Sequence, residues 1–451
     1  MATDLTSGSV SRLLRVQATP MALGLLAIIS FDVVDLFFVS RLGDAPLAAI
    51  SFTFPVIWFL GSIAIGYEAG AASCVSRVVG DANPARAARL TTDAAILAGL
   101  VTLALCCIGL ATIDPVFSAL GATDELMPLI TDYMSIWYWT EPASAVMWTC
   151  LASMRARGNT ALEGKVITAA AILNAILDPI FIFGWLGFPR LEIAGAAIAS
   201  LTATLTMLAF TLIYLATRLR VFANPIAPFA QIAESWRNLL AIGLPAMLTN
   251  AVIPIANGIV MRLVATSGVT AVAGFGIAMR IEPVALIPFY ALSAVSSPFF
   301  GQNIAAGKYD RLVEARRVIC RFCLRFGFLL AAALCLVAQP LSALFTHSMA
   351  IRKVAVDYIW LVSLSYGAYG VVMSVNAAFN GIGRPLPGVL ISSMRVLIIF
   401  LPLAFLGHWL FGLPGLFGAS ALSNLGVGAI AYRWLGSQIC ASKPAATRPS
   451  A

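Results

Sequence analysis

Apolar residues in this chain run together in long stretches separated by short polar intervals, with no strict alternation of apolar and polar positions. Twelve stretches can be drawn, at roughly 16–40, 50–74, 91–115, 128–152, 163–186, 193–216, 237–263, 270–298, 314–340, 355–381, 386–408 and 413–436. A helix of about 20 residues crosses the hydrocarbon core of a bilayer, and a run that is apolar all round marks a span rather than a surface helix. The polar intervals are too short to hold a soluble domain. The longest, RLRVFANPIAPFAQIAESWRN at 218–238, divides the stretches six and six. The pattern therefore predicts an all-α polytopic membrane protein of twelve transmembrane helices in two lobes. The expected boundaries are a first lobe over 12–217, a cytoplasmic linker over 218–238, a second lobe over 239–438 and a cytoplasmic tail over 439–451.

The second half repeats the first at a nearly constant offset. Pro20 in ATPMALG matches Pro245 in GLPAMLT, and the 225-residue interval recurs between GDAPLAAI at 43 and GVTAVAGF at 268. The RARGN and NGIGR loops keep the same interval, with Gly158 on Gly383. Such self-similarity points to two copies of one unit. Six helices followed by six in the same order give halves of the same topology, related by a pseudo-two-fold axis along the membrane normal.

Composition agrees with a membrane protein. Of the 451 residues, 60% are hydrophobic and only 11% charged, against about 25% charged in soluble domains. Mean hydropathy is +0.93. The net charge of +8 comes from basic residues scattered among loops rather than gathered into a patch, so no nucleic-acid partner is needed to explain it and none is expected. Most of the Lys and Arg fall in alternate loops on the side of the N-terminus, so both termini are expected in the cytoplasm. Arg280 is read as the one basic residue well inside a span. The apolar run after MATDLTSGSVSRLLR is a full span carrying acids, so no cleaved signal peptide is expected.

The candidate chemistry lies in acids placed where a bilayer penalises them. Asp32, Asp35, Glu68, Glu141, Asp178 and Glu282 all fall in predicted spans, and an acid at a helix centre costs roughly 2.5–3.5 kcal/mol by insertion scales. Asn174 and Asp178 are four apart in AILNAILDPIFIFG and share one helix face. Pro179 follows directly and should bend the helix and free a backbone carbonyl beside the acid. Such a group suits a proton, a metal cation or a cationic ligand; a structural polar pair is the plain alternative. Asp32 and Asp35 likewise lie near one face of the first span. Neither GxSxG, HExxH nor a phosphate-binding loop occurs, and no Asp-rich magnesium cluster, so no enzymatic reaction and no cofactor are expected.

Together, the Pro20-x14-Asp35 span, the SRLGD and GDANPARAAR loops, RARGN, LNAILDPIFIFG before GAAIAS, and MRIEP with GQNIAAGKYDR resemble the multidrug and toxic compound extrusion (MATE) family over about residues 12–438. The resemblance implies a bacterial-type inner-membrane antiporter, functional as a monomer, that expels organic, cationic or amphipathic compounds in exchange for H⁺ or Na⁺. It implies that Asp35, Asn174 and Asp178 couple transport to the cation and that these residues would hold any Na⁺. A hydroxyl on the sixth helix would join them, Ser200 with Thr202 as its rival, and Pro20 would mark the bend of the first helix. Phe31, Phe181, Asp32 and Glu141 are candidates for the substrate cavity. The expected partners are small-molecule substrates and the lipid bilayer. Acids on the seventh and tenth helices, which mark a second-lobe cation site in some relatives, are missing mid-span. A lipid-linked flippase of the same superfamily is the competing reading, but a lipid pyrophosphate would require several basic residues in spans.

Overall fold

A computed structural model describes residues 3–443, apart from the side chains of 253–255. Among the described residues all regular structure is helical. The predicted spans correspond to α1 (Val10–Ser40), α2 (Asp44–Gly80), α3 (Pro84–Ala111), then, after the short α4 (Ile113–Ala119), the pair α5 (Met127–Trp137) and α6 (Thr140–Ala156). The first half closes with α7 (Thr160–Phe183) and α8 (Glu192–Tyr214). The second half comprises α9 (Phe229–Ala265), α10 (Val269–Ala305), α11 (Tyr309–Ala343), the pair α12 (Met349–Ser363) and α13 (Tyr366–Gly381), the run α14 (Leu386–Ser393) to α15 (Leu401–Phe411), and α16 (Leu413–Ser442). Of the predicted tail, residues 439–442 complete α16, and 444–451 lie outside the described residues.

Ten of these helices, with α14 to α15 counted as one, are long and apolar enough to cross a membrane by themselves, and α12 with α13 makes an eleventh span bent by 57°. The remaining predicted span, 128–152, is α5 and α6 in series. Its break at Tyr138 and Trp139 has a chemical cause in Pro142, which offers no N–H to the Tyr138 carbonyl four residues back. The amide of Glu141 reaches that carbonyl instead, at 3.3 Å. The break between α12 and α13 falls at the corresponding place in the second half without a proline. There the Ser365 hydroxyl donates to the Val362 carbonyl at 2.8 Å, a local bond that competes with the helical ladder.

The helices pack into two compact units, one formed by Thr19–Gly243 and the other by Asp4–Ala18 with Leu244 onward. The division follows packing rather than chain order. Leu5, Val10 and Leu14 are buried in the second core with Phe275, Phe289 and Phe417, and the Arg311 guanidinium donates to the Gly8 carbonyl at 2.6 Å. The start of α9 packs in the first unit instead, where the Trp236 indole donates to the Asp93 carbonyl at 3.0 Å.

Within the first unit two close approaches fix α7. A Cβ on Gly164 would lie 2.5 Å from the Pro20 carbonyl oxygen of α1, and one on Gly195 of α8 would lie 2.5 Å from the Phe181 carbonyl oxygen. Glycine alone permits backbones so near. One end of the unit is closed by a buried charge cluster in which Arg155 of α6 pairs with Glu163 of α7 and, at 3.2 Å, with Glu68 of α2.

Candidate functional site

The packing of α7 decides what its polar face meets. Asn174 and Asp178 are both fully buried, at 0% exposure. The Asn174 amide donates to the Ser200 hydroxyl on α8 at 3.3 Å, so Ser200, and not Thr202, is the hydroxyl it touches. Both carboxylate oxygens of Asp178 and the side-chain carbonyl of Asn174 are buried with no hydrogen-bond partner. Pro179 also lacks the N–H that would occupy the Ala175 carbonyl, although α7 continues through it to Phe183.

Asp35 comes to this group from α1. One of its carboxylate oxygens is likewise buried and unpartnered, and its charge acts on Asp178. The first and fifth predicted spans thus place Asp35 within electrostatic reach of Asp178, on the helix that also carries Asn174, paired with Ser200 of α8. Two carboxylates in a low dielectric cannot both remain ionised without compensation, so the arrangement favours one shared proton or one small cation. Oxygen donors of this kind suit a hard cation.

The remaining sequence candidates are placed as follows. Pro20 sits inside an unbroken α1, against Gly164. Asp32 is exposed one turn before Asp35, and its charge acts on Asp35. Phe31 and Phe181 are half-buried, the latter edge-on to Phe188 at 5.5 Å. Glu141, half-buried at the start of α6, acts on Cys106 of α3. Tyr133 of α5 escaped the sequence reading: it is 4% exposed, and Asp35, Asp178 and Asp32 all act on it. A lone tyrosine in an apolar run carries no pattern that would have singled it out.

One expectation is corrected. Arg280 is not the only basic residue inside a span, because Arg395 lies ten residues into the 26-residue run Leu386–Phe411. A single arginine hardly lowers the mean hydropathy of such a run. Arg280 itself is exposed on α10.

The family model MatE matches the chain twice, at residues 20–180 and again at 245–406. The chain belongs to the MATE family. The two matches begin 225 residues apart, the interval of the internal repeat. This MATE chain is 37% identical over 443 residues, 98% of each protein, to the FAD transporter of Shewanella oneidensis. It is 24% identical to the probable multidrug resistance protein YoeA of Bacillus subtilis over 84% of this chain and 85% of that one. Among solved structures, the MATE transporter VcmN of Vibrio cholerae in its bent form superposes with a TM-score of 0.91 at 28% identity, covering 96% of this chain and 98% of that one. The protein is accordingly a multi-pass membrane transporter of small molecules with the twelve-helix, two-lobe MATE fold.

Proposed function

We propose that this MATE transporter is an antiporter that exports an organic solute in exchange for H⁺ or Na⁺ bound by Asp35, Asn174 and Asp178, with Ser200 holding the amide in place. The observation that carries this reading is the set of four buried, unpartnered oxygens on Asp35, Asn174 and Asp178. Buried polar groups without partners are costly, and a cation or proton supplies the missing partner. Binding it would change the favoured packing of α1, whose Pro20 backbone lies close against Gly164 of α7. One charge moved through 100 mV supplies about 2.3 kcal/mol, enough to sustain a substrate gradient. A bacterial-type inner membrane with both termini cytoplasmic and a monomeric transporter complete the reading.

The substrate class is where the relatives divide. Family resemblance suggests cationic or amphipathic compounds. The 37% relative, named an FAD transporter, favours a flavin dinucleotide, an amphipathic anion, over the multidrug relative at 24%. A lipid-linked flippase is disfavoured, since a lipid pyrophosphate requires several basic groups gathered at one place, and those in the spans are spread over separate helices, Arg280 on α10, Arg321 and Arg325 on α11 and Arg395 between α14 and α15.

The test is transport in proteoliposomes with an imposed Na⁺ or pH gradient. Asp35→Asn and Asp178→Asn should each abolish gradient-driven efflux. Undiminished efflux in both would remove the coupling site.

A further inference from the structure

The second unit contains a polar cluster that cation coupling in the first unit does not use. Arg395 sits in the middle of its span, in the π-helical segment Met394–Phe400 between α14 and α15. π-Helical turns are rare and cluster at functional sites, and an ionisable side chain inside a span marks a functional group by default. The guanidinium donates to the Asn424 side-chain carbonyl at 3.2 Å and covers the ring of Tyr369 at 4.6 Å, while its Nε is buried with no partner. The backbone of the turn is held as well, since the Ser423 hydroxyl donates to the Arg395 carbonyl at 2.7 Å.

Glu282 of α10 feels the charge of Arg395 but is occupied elsewhere. It accepts hydrogen bonds from the hydroxyls of Tyr358, at 2.5 Å, and Tyr366, at 3.3 Å. No Arg395–Glu282 ion pair forms among the described residues, and the groups that touch the guanidinium, Asn424 and Tyr369, are neutral. Tyr290, which is 39% exposed, completes the cluster: Tyr369, Glu282 and Arg395 all act on its hydroxyl.

We propose that Arg395, flanked by Tyr290 and Tyr369, is the subsite of the second unit that takes the anionic group of an aromatic organic phosphate. The guanidinium fork matches phosphate oxygens in pairs, and the tyrosine rings offer faces to a planar heterocycle. Glu282 keeps its place on Tyr358 and Tyr366, which leaves the guanidinium for the phosphate. The proposal rests on the flavin-dinucleotide reading of the substrate, and it names the residues that recognise the phosphate part.

The test is binding of FAD and of riboflavin, which lacks phosphate, to the full purified chain by quenching of flavin fluorescence. Arg395→Gln should weaken FAD about ten- to a hundredfold, the worth of a charge-assisted hydrogen bond, and leave riboflavin within about twofold. Arg395→Lys, which keeps the charge but not the fork, should fall between. Equal FAD affinity in Arg395→Gln and the unaltered chain would overturn the subsite, as would an equal loss of both flavins, which marks a structural role. If the unaltered chain bound neither flavin, the substrate reading itself would fail, and the subsite with it.

Discussion

Replacing Arg155 by methionine tests how much of the first unit hangs on its buried charges. Arg155 is 5% exposed and Glu163 0%, and the guanidinium serves both Glu163 and, at 3.2 Å, Glu68. Three helices, α2, α6 and α7, meet at this one group. Arg155→Met keeps the length of the apolar stem but leaves two carboxylates together without a counter-charge. Breaking a buried ion pair from one side costs about 3–5 kcal/mol. With about 2–4 °C of melting temperature per kcal/mol for a unit of this size, the variant should melt about 6–20 °C lower. The exposed pair of Arg86 and Glu234, 3.1 Å apart with side chains 56% and 64% accessible, is the internal control: Arg86→Met should cost at most about 1 kcal/mol. Melting followed by size-exclusion chromatography of heated detergent samples reads both. The triple variant Arg155→Met, Glu163→Leu, Glu68→Met should recover most of the loss, because an apolar replacement of a whole buried ion cluster is close to neutral. An Arg155→Met protein that melts with the unaltered one would refute the reasoning.

Three further outcomes bear on the site. Asp178→Asn should erase the rise in melting temperature that the bound cation confers, a gain of about 2.7 kcal/mol at a hundredfold excess over its dissociation constant; a variant that still responds to NaCl against choline chloride, or to pH, as the unaltered chain does would contradict it. Gly195→Ala forces α8 away from the Phe181 carbonyl and should destabilise by about 1–3 kcal/mol while lowering transport, since Ser200 moves with α8; unchanged melting and transport would show that α8 can shift freely. Ser200→Ala should lower cation affinity, measured as the Na⁺ or proton dependence of transport, whereas Thr202→Ala should leave it unchanged; the reverse order would assign the hydroxyl to the wrong residue.

The number of spans, their order and their duplication could be read from the residues one after another. Apolar length decides whether a segment prefers lipid, and that preference is local, so the twelve spans lie where the hydropathy pattern places them, while the short α4 lies largely between two of them. Pro142 accounts for the break between α5 and α6 through its missing N–H, although the apolar pattern over 128–152 reads as one span. The matching break at Leu364 and Ser365 has no such signal and emerges only from the structure.

Asp35, Asn174 and Asp178 could be singled out from sequence because each is costly where it stands. That Asp35 acts on Asp178 depends on the approach of α7 to α1 at Gly164, and that Asn174 reaches Ser200 on the approach to α8 at Gly195, contacts between residues more than a hundred positions apart in the first case. Tyr133 and Arg395 show the limit from the other side: an aromatic residue in an apolar run looks like packing, and one arginine is outvoted by its apolar neighbours. Only tertiary packing sets Tyr133 within electrostatic reach of three acids and gives Glu282 to Tyr358 and Tyr366, because the partners of a side chain are chosen by the helices that fold against it and leave no mark at its own position.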